Sequence, residues 1–133
     1  MATREQLTDL LARVEGATEP SIHLFFDVAR ATYPDAYPAG WIYDQALAEW
    51  RFLTFQKFVG ICAWESAALA LLGRVLPGWS WSLRSSPGEF TRASVWRSGE
   101  VTCVDAIRSD NQSALAILSA MLRALIAEMT DDR

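Results

Sequence analysis

The chain has 133 residues, a formal net charge of −4, and a composition of 51% hydrophobic and 21% charged residues. That length reads as a single domain over 1–133, large enough to bury roughly two-thirds of its unfolded surface without a disulfide or a metal. The composition excludes a disordered chain, and the acidic balance argues against a general nucleic-acid binder.

The first predicted element is a helix from Thr3 to Glu15. Thr3 and Gln6 have capping-box spacing. Leu7, Leu10, Leu11 and Val14 recur at i, i+3, i+4 and i+7, which draws an apolar stripe. Gly16 stands where a C-terminal cap belongs. This polar, amphipathic opening predicts no secretory signal. A second helix is expected from Pro20 to Ala31, capped by Thr18, with Pro20 in the first turn where a missing N–H costs nothing. Ile22, Phe25, Phe26 and Ala29 form its expected buried face. His23, Asp27 and Arg30 line the other side. That trio reads either as a catalytic His–Asp pair or as a solvated face with a contact worth ~0.2–0.5 kcal/mol. No nucleophile has a claim to lie nearby, so the solvated face is the expectation.

Residues 33–60 form an aromatic-rich, irregular segment. It holds eight of the fifteen aromatics: Tyr33, Tyr37, Trp41, Tyr43, Trp50, Phe52, Phe55 and Phe58. Pro34, Pro38 and Gly40 break structure at its start. Asp44 can cap a short helix through Trp50, and Phe52 to Val59 fits either a strand or a helical turn. Two readings stand for the aromatics. They pin a long connection onto the core, or Tyr37, Trp41, Tyr43 and Trp50 are anchors for a protein partner.

From Glu65 to Arg84 the pattern is a helix, a stop and a strand. Leu69, Leu72, Val75 and Leu76 recur at helical spacing, widened by Leu71. Pro77-Gly78 ends the helix, because Pro cannot continue the ladder and Gly tolerates the reversal. The period then drops to two: Trp79, Trp81 and Leu83 point one way, Ser80, Ser82 and Arg84 the other. Ser85-Ser86-Pro87-Gly88 is a turn by composition. A second strand is expected from Phe90 to Arg97 and a third from Glu100 to Ile107, joined at Ser98-Gly99, giving a three-stranded antiparallel meander. The closing helix, capped by Asp110 or Asn111, carries Leu115, Leu118, Leu122, Leu125 and Met129, widened by Ala114, Ile117, Met121 and Ile126. Ser119 and Arg123 are expected toward solvent. So broad a stripe suits packing on a sheet or helix pairing in a homodimer.

If the apolar strand faces align under the helices, the opposite face is a mixed Ser, Arg and Trp surface. Arg84, Arg92 and Trp96 on it form a candidate site for a small ligand or nucleotide, since Arg offers planar paired donors and Trp a stacking surface. The competing reading is a partly covered sheet with solvated Arg ends. No glycine-rich phosphate loop, paired-carboxylate site or Ser–His–Asp set is present. One His excludes an imidazole-rich metal site, so no cofactor is expected. Cys62 and Cys103 lack metal or redox spacing; a disulfide between them is one reading, and two buried free thiols in a reducing cytosol is the expectation. The apolar runs Ala67–Leu72 and Ala114–Leu118 fall far short of the ~20 residues of a membrane span.

Several stretches, in order, resemble the phage ABA sandwich domain family of small phage and prophage proteins. They are Leu10 to Ser21, Ala67 to Leu71, Val75 to Leu83, Ala93 to Val95 and Ser113 to Ala124. The resemblance implies an α+β fold with helices on both faces of a small antiparallel sheet, an α–β–α sandwich, and carries no activity. Trp64-Glu65-Ser66-Ala67-Ala68 replaces that family's Ser-x-Asp-Ala-Ala opening of the central helix, and the aromatic segment is particular to this chain. The resulting expectation is a non-enzymatic, cytoplasmic phage or prophage protein that binds a host protein, as an inhibitor of host defence, with a small-ligand domain and a structural homodimer as alternatives.

Overall fold

The computed structural model describes residues 3–32, 55–86, 89–100, 102–110 and 112–131. Helix α1 spans Arg4–Gly16. Its capping box is complete: the Thr3 N–H donates to Gln6 Oε1 at 2.8 Å, and the Gln6 N–H donates to Thr3 Oγ1 at 3.2 Å. Leu7, Leu10 and Val14 are buried.

Helix α2, Ile22–Thr32, starts later than its Pro20 suggested. Ser21, not Thr18, caps it, accepting the Leu24 N–H at 3.2 Å. The buried face is Leu24, Phe25, Val28 and Ala29, while Ile22 is 51% exposed. Neighbours turn the helix this way: α2 packs on α1, and Phe25 tilts against Trp64 with ring centroids 4.9 Å apart.

Residues 55–60 are helical (α3), which answers the strand-or-helix question there. Phe55 and Val59 are buried, and Phe26 meets Phe55 edge-on at 5.7 Å. The segment ends in a two-bond reversal: Ala63 N–H donates to Phe58 O at 2.8 Å and Cys62 N–H to Val59 O at 3.0 Å. This geometry puts the penultimate residue in left-handed backbone, and Cys62 has φ 59°.

Helix α4 covers Trp64–Val75, with no side-chain cap at Ala63. Its buried face is Ala67, Ala68, Leu71 and Leu72, so Leu69, expected at the centre, lies at the margin. Pro77-Gly78 ends it as anticipated: Gly78 has φ 82° and the Trp79 N–H returns to Leu76 O at 3.1 Å.

Three antiparallel strands follow in the order β1-β2-β3: β1 Trp79–Ser86, β2 Phe90–Arg97 and β3 Val104–Arg108. The third begins four residues later than Glu100, because only Thr91 to Val95 of β2 pair with it. Register stacks Leu83, Ala93 and Ala106 in one row and Trp81, Val95 and Val104 in the next. These rows make the inner face.

Helix α5, Ser113–Asp131, lies on that face. Asp110 shapes the approach to it without capping it: its Oδ1 accepts the Gln112 N–H at 3.3 Å, one residue ahead of the helix. Helices α1 and α4 pack on its other side. Every residue from Ala114 to Leu122 is therefore buried, including Ser119 at 1% exposure. A helix apolar all round belongs inside a domain, and α5 is the central layer. Two expectations are corrected by this: Ser119 does not face solvent, and α5 has no free side for a homodimer in this stretch. The expected sandwich is also reordered. The layers run sheet, α5, then α1 with α4, and among the described helices α5 alone packs extensively on the sheet, from one side.

Candidate functional site

The outer sheet face carries the side chains of opposite parity. Cross-strand rows join Ser80 with Trp96, Ser82 with Ser94 and Asp105, Arg84 with Arg92 and Ile107, and Ser86 with Phe90. The register thus brings the predicted Arg84, Arg92 and Trp96 onto one face. It does not bring them to one point. Trp96 stands four residues from Arg92 along β2, roughly 13 Å at strand rise.

Asp105 organises the middle of this face. Arg92 Nη2 donates to its Oδ2 at 2.5 Å, and Ser94 Oγ donates to its Oδ1 at 2.6 Å. The Cys103 thiol adds a third donor at 3.4 Å. Hydrogen bonds from Ser94 and then Arg92 hold the Asp105 carboxyl below its ordinary range. Its own bond to that carboxylate pushes the Cys103 thiol up. Asp105 thus ties Arg92, Ser94 and Cys103 together across β2 and β3.

Arg84 differs. It is exposed and makes no ion pair among the described residues. It sits directly opposite Arg92, a like-charge pairing that opposes sheet stability. Beside this pair lie Phe90, 38% exposed, and Ile107, 65% exposed. Trp81, on the inner face of the edge strand, is 48% exposed. Sequence reasoning did not single out Asp105, Phe90 or Ile107, although a tight turn at Ser98-Gly99 puts Asp105 opposite Arg92; in the structure the register is shifted by two residues, Ile107 stands opposite Arg92, and Asp105 reaches Arg92 diagonally.

A second polar cluster joins β3 to α1. Arg108 donates through Nε to Asp110 Oδ1 at 2.9 Å, through Nη1 to Val14 O at 3.1 Å, and through Nη2 to Ala17 O at 2.6 Å and Asp110 Oδ2 at 2.9 Å. The guanidinium sits at the negative end of α1. It holds the Asp110 carboxyl below its ordinary range. A cavity of about 190 Å³ lined by Glu15, Arg108, Asp110 and Ser119 adjoins it.

Tyr37, Trp41, Tyr43 and Trp50 lie outside the described residues. Asp27 is taken by Arg13 at 2.8 Å and Arg30 at 3.6 Å, and His23 is exposed. Both cysteines are free and exposed, correcting the expectation of buried thiols: Cys62 lies in the turn after α3, and Cys103 precedes β3 at the rim of the outer face. No cluster of His, Cys, Asp and Glu among the described residues is arranged to hold a metal ion. No described helix is long and apolar enough to cross a membrane. No family model, curated protein or solved structure matches the chain.

Proposed function

We propose that this protein is a non-enzymatic binding module that docks a partner protein on the outer face of its sheet. The observation that carries the reading is the co-exposure of Phe90, Ile107 and Arg84 on a face that the described helices leave to solvent. Apolar and arginine side chains side by side are the chemistry of protein interfaces. The aromatics Tyr37, Trp41, Tyr43 and Trp50 are proposed as further anchors, on composition alone. The resemblance to phage ABA sandwich proteins is the sole support for a host-cell protein as the partner, for a cytoplasmic setting and for a role against host defence.

Nucleotide binding at Arg84, Arg92 and Trp96 is the lesser reading. The three share a face, but Arg92 is already engaged by Asp105, which leaves Arg84 alone to meet a phosphate. The test is capture by the tagged full chain from lysate of the host. One defined protein is expected, and Phe90→Ser with Ile107→Glu weakens its capture without lowering the melting temperature. Capture that ignores the double substitution removes this face from the function.

A further inference from the structure

We infer that the docking face takes an extended acidic segment of its partner, added as a fourth strand along the edge of β1 that no described strand pairs, with a carboxylate seated on Arg84. The inference deepens the binding-module reading and rests on it.

Three observations converge. The first is the edge. Among the described residues β1 pairs only with β2, over all eight of its residues. Natural edge strands are blunted by charge, proline, bulges or shortness. β1 has no proline, pairs without interruption and carries one charged residue, Arg84. Its outward N–H and C=O groups form a template for strand addition.

The second is charge. Four charged groups lie on or beside the outer face at this end. Asp105 is satisfied by Arg92, Ser94 and Cys103. Glu89, at the hairpin tip, accepts from Ser86 Oγ at 3.3 Å and makes no ion pair with Arg84. Arg92 is paired through one terminal nitrogen. That leaves Arg84 as a cation without a counterion among the described residues, facing a second guanidinium across the ladder. A carboxylate there relieves the repulsion and accepts charge-assisted bonds. The chain as a whole has a net charge of −4, so this attraction is local to the site.

The third is apolar surface on both sides of the edge. A strand's side chains alternate between faces. A residue of the added strand on the outer side meets Ser82 and Arg84, with Phe90 one strand further in, on β2. Its immediate neighbours, on the inner side, meet Trp81 and Leu83. The segment that fits has Asp or Glu at one position and large apolar residues immediately before and after it. A phosphate or nucleic-acid strand does not extend the backbone ladder of β1.

The experiment is selection of random ten-residue peptides displayed on phage against the full-length protein, followed by titration of a synthetic selected peptide. Enriched sequences are expected to carry Asp or Glu between apolar residues. Arg84→Glu is expected to weaken the peptide at least tenfold, and changing the peptide's acidic residue to Lys to restore binding to the Arg84→Glu protein. Circular dichroism confirms that the exposed substitution leaves the fold intact. Enrichment of peptides without acidic residues, or equal binding by Arg84→Glu, overturns the acidic-strand assignment while leaving the docking face in place. Selected peptides insensitive to both Arg84→Glu and the Phe90→Ser, Ile107→Glu pair overturn the assignment and the face together.

Discussion

At the scale of single residues, Arg108 ties the fold together. Its side chain is 10% exposed, and it makes four hydrogen bonds joining β3, the end of α1 and the start of α5. Removing it takes the side-chain donor from the Ala17 carbonyl, leaves Val14 O with only the Ala17 N–H and deprives Asp110 of its counterion, so Arg108→Ala is expected to cost ~1–3 kcal/mol in urea unfolding. A loss under ~1 kcal/mol means the clasp is replaceable by solvent. Asp105 and Asp110 add a pH dependence. Both titrate lower in the folded chain than the unfolded value of 3.8. The unfolded chain therefore binds more protons in that window, and stability rises with pH there. The contribution is present in full above the unfolded value and is lost as pH falls through the folded ones. Urea midpoints are expected to drop between pH 5 and 2, at about those limits, and to drop less in the Asp105→Asn, Asp110→Asn variant. Equal slopes in the two proteins count against the assignment. None of this was visible in the chain order, since Arg108 reaches carbonyls 94 and 91 residues away.

At the scale of elements, two substitutions separate local geometry from packing. Cys62 occupies the left-handed position of the cap after α3, which glycine adopts without strain. Cys62→Gly is expected to stabilise by ~0.5–1 kcal/mol, measured as a raised melting temperature. A lowered one means that the thiol's contacts outweigh the backbone strain. Leu118, fully buried between sheet and helices, tests α5 as the central layer. Leu118→Ala is expected to cost ~2–5 kcal/mol, and the same change at the partly buried Leu11 distinctly less. Equal costs at the two sites contradict the layering. The broad apolar stripe of α5 was legible in the sequence. That its remaining side is covered as well was not, because Ser119 is small enough to be packed over and periodicity does not report what stands opposite.

At the scale of the whole molecule, charge and exposure are distributed unevenly. Ion pairs Arg13–Asp27 and Arg123–Glu15 tie neighbouring helices together, and Arg97–Glu128 ties β2 to α5. Among the described residues Arg84 is left without a counterion on the outer sheet face. Because Arg84 supports no described contact of the fold, Arg84→Gln is expected to change stability by no more than ~0.5 kcal/mol. Partner capture by the wild-type chain is expected to weaken with added salt, as exposed charge pairs do. Capture that is indifferent to both removes electrostatics from recognition. Phe90 and Ile107 supply the apolar part of the same surface, so Phe90→Ser with Ile107→Glu is expected to abolish salt-independent capture.

What the chain order determined by itself was local. The Thr3–Gln6 capping box, the stop at Pro77-Gly78, the three-strand meander and the α+β class all follow from spacing and backbone preference over a few residues. What the tertiary structure decided was every question about a second surface. The examples are which side of α2 is buried, whether α5 has a free face, where β3 begins and with which partner Arg92 spends its charge. An apolar stripe states that something must cover it, whereas the identity of the cover depends on residues distant in the chain, whose approach is set by packing of the complete core.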